Sequence, residues 1–159
     1  MKFDRIDLKI LDLLQRDATM PVVRIAEQVG LSQTPCWKRI QKHEATGTIS
    51  ARVALLDPDA FGFDLTVFVM VEAMEHTLEW RAQFVSVLST LDAVRDVYRL
   101  AGNYDFLLRI VVPDATAFDA LYGELTNKVR LRSVNSFFAL ERVAVSSALP
   151  LSTLFVERS

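Results

Sequence analysis

Between Ser32 and Lys42 the chain sets out two lysines, an arginine, two glutamines, two hydroxyls and the indole of Trp37. Ammonium and guanidinium groups neutralise phosphates, and glutamine and threonine offer donors and acceptors to base edges. Such a set binds; it breaks no bonds. A lone run of this kind is ordinarily a solvated helix face. Its setting here reverses that reading, because the run follows a short apolar helix and a Gly-Leu-Ser turn without a spare residue. Ser32, Gln33, Thr34, Trp37, Lys38, Arg39 and Lys42 are therefore the expected contacts to double-stranded DNA, with Gln41 beside them.

The elements that must hold these residues read as a helix-turn-helix over Pro21 to Ile49. Ile25, Ala26 and Val29 share one face at helical spacing, Gly30 stops the helix, and Leu31 packs under the turn. Ser32 or Thr34 can cap the second helix, and Pro35 sits in its first turn. Cys36, Ile40 and His43 fall on the inner side, so Cys36 reads as packing rather than a redox sensor, and His43 as a core residue rather than a pH switch. A first helix over Asp4 to Arg16, with Ile10, Leu11 and Leu14 as its stripe, completes a three-helix head.

The chain has 159 residues, 51% of them hydrophobic, with few glycines, which argues for packed structure throughout. The net charge of −2 hides an asymmetry: residues 1–52 carry nine Lys or Arg against six Asp or Glu, and residues 53–159 carry nine against fourteen. The basic half holds the DNA-reading run. A single cysteine, Cys36, allows no intramolecular disulfide and no cysteine metal cluster, so a cytoplasmic, nucleoid-associated protein is expected. The N-terminus is charged from its second residue, unlike a signal peptide, and the longest apolar run, 65–71, is too short to span a bilayer. No membrane partner, metal or cofactor is expected. With only His43 and His76, and no phosphate loop or metal-ligand spacing, an enzyme is the weaker reading, and no catalytic residue is assigned.

After Gly47 the segment 48–56 reads as a short wing-like strand, with a linker punctuated by Asp57-Pro-Asp and Gly62. Beyond it the period alternates: a strand over Leu65 to Ala73, a helix over Leu78 to Leu91, strands over Val94 to Leu100 and Asp105 to Val112, a helix capped by Asp114, and a strand over Ser133 to Val145. The order β-α-β-β-α-β is the ferredoxin-like arrangement, an α+β sandwich with both helices on one sheet face. The first and last strands are apolar at both parities, as at Val67 and Phe68 or Phe137 and Phe138, which implies a homodimer through the uncovered face. The expected domains are a helix-turn-helix head at 1–50, a linker at 51–64 and a sensing and oligomerisation domain at 65–159.

The whole resembles the Lrp/AsnC, or feast/famine, family of transcriptional regulators. Asp4 and Asp7 with Lys9-Ile-Leu, Gly30-Leu-Ser, Arg39-Ile-Gln-Lys, Gly47-Thr-Ile, Leu56-Asp-Pro, Gly62 and Gly102-Asn-Tyr-Asp-Phe-Leu-Leu carry the resemblance, in order. Thr34-Pro-Cys-Trp-Lys-Arg, Glu79-Trp80 and Ala148-Leu-Pro-Leu are similar to a branch that regulates amino-acid breakdown. The resemblance implies a sequence-specific regulator, dimeric and assembling to octamers, whose assembly or DNA affinity responds to a small molecule, an amino acid, bound between C-terminal domains. It implies effector contacts from Ala101, Gly102, Asn103, Tyr104 and Asp105, facing Val134 and Ser136. Asp105 would take the ligand's ammonium or cap its own turn; the residue type allows both. The chain departs from the family at Lys128-Val-Arg-Leu-Arg, where a Pro-Gly turn is usual. That cationic cluster reads as solvated, with an effector bearing an extra acidic group as the alternative. A DNA-wrapping architectural protein of low specificity is the alternative function.

Overall fold

The computed structural model describes residues 3–144 and 146–154. They fall into two compact units, one of residues up to 55 together with those from 143 onward, the other of residues 56–142.

In the first unit Asp4 opens helix α1, Arg5–Arg16, with a capping box. Its Oδ1 accepts from the Asp7 backbone N–H at 2.7 Å, and Asp7 Oδ2 accepts from the Asp4 N–H at 3.2 Å, satisfying two of the donors a helix start leaves free. Helix α2, Val22–Val29, ends at Gly30, whose φ of 72° is the left-handed turn that glycine adopts freely. The Leu31 N–H then bonds back to the Ala26 carbonyl at 2.9 Å. Helix α3, Gln33–Ala45, follows from Ser32, whose side chain makes no capping bond. Ile10, Ile25, Cys36 and Ile40 are fully buried, with Leu14, Ala26 and Val29 around them.

One expectation fails in this unit. The expected strand at 48–56 does not form; Val53, Leu55 and Leu56 are exposed, and the backbone meets no partner strand with which to build a ladder. The C-terminal stretch from residue 143 packs with the head. Gln15 clamps it there, its amide donating to the Leu149 carbonyl at 2.9 Å and accepting the Leu149 N–H at 2.8 Å.

The second unit is β1 Leu65–Ala73, α4 Leu78–Leu88, β2 Val94–Arg99, β3 Phe106–Val112, α5 Ala115–Lys128 and β4 Leu131–Phe138. Its sheet runs β2-β3-β1-β4, antiparallel at every step. Helix α4 stops three residues short of the expected end, although Leu91 stays buried. Strand β4 begins two residues earlier than expected and ends at Phe138; the last expected strand residue, Val145, lies outside the described residues, as do the ends of the expected domains, 1–2 and 155–159. Val67, Val69 and Val71 alternate inward and pack with Leu108, Ile110, Phe84 and Leu125. The other parity of β1 faces away from this core, and there Phe68 stands opposite Phe137 in the register. Both rings are exposed, as is Tyr98 of β2. Among the described residues no helix is long and apolar enough to cross a membrane.

Candidate nucleic-acid interface and effector pocket

Helix α3 divides as its spacing predicts, with Cys36, Ile40 and His43 buried on one side. On the other, Gln33, Thr34, Trp37, Lys38, Gln41 and Lys42 are exposed, with Ser32 at the entry. Trp37 keeps 44% of its surface open to solvent. Neither Lys38 nor Lys42 forms an ion pair among the described residues, so their charges are free for phosphates.

Arg39 differs from the lysines beside it. Its Nη1 donates to Asp4 Oδ2 at 2.6 Å and to Asp7 Oδ1 at 2.7 Å, tying α3 to the capping box of α1. The two carboxylates, Asp4 first, raise the guanidinium's pKa. The Asp7 N–H and then Arg39 hold the Asp4 carboxyl below its ordinary value. Burial pushes Asp7 up, but hydrogen bonds from Arg39, the Asp4 N–H and His43 outweigh it and hold Asp7 low. A cation held in this way stiffens the head; both bonds use Nη1, and Nε and Nη2 have no partner among the described residues.

His43 is fully buried, with Nε2 3.2 Å from Asp7 Oδ1 and its ring 5.8 Å from that of Phe3. In the neutral tautomer that donates from Nε2, its Nδ1 has no partner among the described residues. Burial pushes the Cys36 thiol up, which disfavours the reactive thiolate.

In the second unit, the turn from Leu100 to Asp105 is closed by the Leu100 N–H donating to the Asp105 carbonyl at 2.8 Å. Ala101, Gly102 and Asn103 are exposed on it and Tyr104 is half-buried. A Cβ added at Gly102 would meet nothing within 4 Å, so the fold of this unit does not itself demand glycine there. Asp105 is anchored twice to β1. Its N–H donates to the Val71 carbonyl at 2.9 Å, and its Oδ2 accepts the Ala73 N–H at 2.8 Å. Its Oδ1 faces His76 Nδ1 at 3.4 Å. One oxygen therefore binds the end of β1, and the other, beside His76, lies at a cavity of about 50 Å³.

Val134 lies opposite Val71 and Ser136 opposite Val69, across β1 from that turn. The parity they share with Val69 and Val71 points them to the helix-covered face, where Val134 packs against the core. Within one chain, then, Asp105 and Val134 flank Val71 on its two edges without meeting. Sequence reasoning missed Glu75, His76, Arg81 and Arg99, which line the cavity with Asp105. Only the register, which sets Arg99 opposite Phe106, reveals the last of these.

A larger cavity of about 430 Å³ lies in the first unit, among Leu8, Leu11, Leu14 and Leu151. Two of its polar side chains are engaged: Gln15 holds Leu149, and Arg52 is bound to Glu44 at 2.8 Å and to the Ala18 carbonyl at 3.1 Å. Size alone does not make it the chemical site. Among the described residues no group of three His, Cys, Asp or Glu is placed to hold a metal ion.

The chain matches two family profiles, an AsnC-type helix-turn-helix domain over residues 3–42 and an Lrp/AsnC ligand binding domain over residues 66–149. It is 42% identical over 150 residues to a glutamate uptake regulatory protein of Zymomonas mobilis, covering 94% of this chain and 92% of that one. To the DNA-binding transcriptional activator DecR of Escherichia coli it is 42% identical over 149 residues, covering 93% and 98%. Among solved structures, an AsnC family transcriptional regulator from Agrobacterium tumefaciens superposes with a TM-score of 0.90 at 46% identity, covering 96% of this chain and 99% of that one. A Neisseria meningitidis transcriptional regulator in complex with L-Met superposes with a TM-score of 0.89 at 28% identity, over 96% and 99%.

Proposed function

Since the chain belongs to the Lrp/AsnC family of DNA-binding transcriptional regulators, with a ligand-binding domain after its helix-turn-helix, we propose that α3 enters the major groove with Ser32, Gln33, Thr34, Trp37, Lys38 and Lys42. Arg39 positions the helix instead of touching DNA. The observation that carries this reading is the division of α3, whose inner residues are all committed while the outer donors are uncommitted. The relatives' names are those of regulators, so the architectural alternative is set aside, as is an enzymatic role.

The effector is an amino acid, a reading supported by the L-Met complex of the Neisseria regulator. It binds at the turn of residues 101–105, where Asp105 Oδ1 offers a carboxylate and Gly102 leaves room for approach. Phe68, Tyr98 and Phe137 on the uncovered sheet face join two copies in a dimer, and dimers assemble further, toward octamers. The protein works in the cytoplasm on the nucleoid. Ligand binding acts on DNA affinity only through its difference between assembly states.

The test is operator binding against salt concentration. Lys38→Ala weakens binding at every sequence and lowers the slope of log K on log salt by about one. A slope unchanged in Lys38→Ala and Lys42→Ala alike removes this face from the interface.

A further inference from the structure

Two short chain connections join the head unit to the ligand-binding unit, and both leave the sheet at one end of the same strand pair. Residues 56–64 lead into β1 at Leu65, and residues 139–142 lead out of β4 after Phe138. Val67 stands opposite Phe138, and the Ala139 N–H donates to the Thr66 carbonyl at 2.9 Å, so entry and exit lie side by side. From residue 143 the chain belongs to the head again. There Gln15, near the C-terminal end of α1, grips the Leu149 backbone with both atoms of its amide, accepting the N–H at 2.8 Å and donating to the carbonyl at 2.9 Å. A third bond from the same amide, to Asp12 Oδ1 at 2.9 Å, fixes its orientation. Leu149 and Leu154 stay exposed, Leu151 is half-buried, and the cavity of about 430 Å³ lies against them. The grip is thus polar, made over loose apolar packing, and it depends on one side chain.

We propose that the C-terminal segment is a strap, fastened by Gln15, that gives the reading head a second attachment, and that Gln15 is thereby a positioning residue for DNA binding. The inference rests on the DNA-reading dimer proposed above. A head on one linker swivels about it freely, whereas a head held at two points turns only about the line between them. The Ala148-Leu-Pro-Leu stretch gains a role in this reading. Leu149 supplies the gripped backbone, and Pro150 opens the short 3-10 helix Leu151–Leu154, its carbonyl accepting from the Thr153 N–H at 3.1 Å and hydroxyl at 2.8 Å. The fastening point is also placed to act on α3. Helix α1 carries Gln15 near one end and Asp7 near the other, about 12 Å apart along the axis at about 1.5 Å per residue, and Asp7 with Asp4 holds Arg39 of α3. A helix that short moves as a rod. At its other end the strap continues β4, the strand of Val134 and Ser136, so a shift of β4 reaches the head through residues 139–142. Two heads fastened in this way keep a set separation, and half-site spacing is what a dimer reads from it. A released head gives up orientational order at every site and with it the preference among spacings.

The experiment uses the full-length protein and an operator that the parent selects from random DNA. A second copy of that operator carries about five more base pairs, half a helical turn, between its half-sites. The parent binds the longer copy about tenfold or more weakly than the original, and Gln15→Leu by no more than about threefold. Gln15→Leu also binds the original about tenfold more weakly, with the slope of log K on log salt unchanged because no phosphate contact is lost. Should Gln15→Leu fail to fold, Leu149→Pro, which removes the gripped N–H at an exposed residue, takes its place. Amide hydrogen exchange reads the grip without any variant: in the parent the Leu149 N–H exchanges about tenfold or more slowly than in an open chain. Exchange at the open-chain rate overturns the strap, and so does a folded variant that discriminates the two spacings as sharply as the parent. Either result leaves the DNA-reading assignment standing. A parent that selects no sequence from random DNA removes that assignment and the strap with it.

Discussion

Arg39 Nη1 lies 2.7 Å from Asp7 Oδ1, so the arginine that sequence places on the DNA-reading helix is held by the first helix of the same head. Asp7 is largely buried, and losing its main cation leaves a carboxylate with only an N–H and an imidazole for company. Allowing for the exposure of Asp4, Arg39→Ala is expected to cost the head about 1–2 kcal/mol. Lys38→Ala, on the open side, stays within about 0.5 kcal/mol. Urea unfolding followed by circular dichroism separates the two. An Arg39→Ala head as stable as the parent, with operator binding lost, returns the residue to the interface.

Acid should loosen this same junction. Asp4 and Asp7 both have folded pKa values below their ordinary ones, so the folded head binds fewer protons than the unfolded chain. Their contribution is present at neutral pH and is lost as pH falls through the folded values, which places the decline in melting temperature below about pH 5. Asp12, lowered by Arg16, and Asp17, lowered by Thr19, share the direction, so Asp7→Asn shallows the decline without abolishing it. A decline identical in Asp7→Asn and the parent, measured from pH 3 to 7, would show that Asp7 is not the linked group.

What was legible in the chain was local. Gly30 and Asp114 announce a helix end and a helix start through backbone chemistry that reaches only a few residues, and the inward triad Cys36, Ile40 and His43 follows from the helical period. The valine parity of β1 gave its bounds for the same reason. The rest depended on distant partners. Arg39 finds its acids 32 and 35 residues away, and nothing in its own neighbourhood distinguishes it from Lys38. Arg99 directly precedes the turn of residues 100–105, but the β2–β3 register is what sets it opposite Phe106 at the cavity. The segment 48–56 has strand composition and no strand beside it, which no local pattern can foretell.

Histidine at 43 offers a test of packing against polarity. Its Nδ1 is buried without a partner, a cost that leucine does not carry, while the Nε2 bond to Asp7 is one of three that Asp7 accepts. His43→Leu is therefore expected to leave head stability within about 1 kcal/mol of the parent, on the stabilising side if the ring volume is refilled well. A loss of 3 kcal/mol in urea unfolding would assign the Asp7 bond far more weight than its geometry suggests.

Phe68 and Phe137 face each other across β1 and β4 on the uncovered side of the sheet, and 56% of the Phe137 surface is exposed in the single chain. Dimerisation through that side would bury both rings. Phe137→Asp then places an unpaired charge in the interface and dissociates the dimer, read as a halved mass by light scattering, with circular dichroism unchanged. A dimer that survives both Phe137→Asp and Phe68→Asp must use another surface.

The two tryptophans separate the two proposed sites. Trp37 is 44% exposed on the side of α3 proposed to face DNA, whereas Trp80 is 8% exposed and lines the small cavity beside Asp105. Operator DNA should therefore quench or shield Trp37, and in Trp37→Phe the DNA-dependent change in emission disappears. An amino acid should act on Trp80, and its signal disappears in Trp80→Phe while the response of Trp37 to DNA remains. Because one ring sits in each compact unit, an amino acid that changes the emission of Trp80→Phe reports directly on Trp37, and so on coupling from the pocket to the reading head. Saturating operator DNA that leaves Trp37 emission and its acrylamide quenching untouched would mean that α3 does not present this face to the groove.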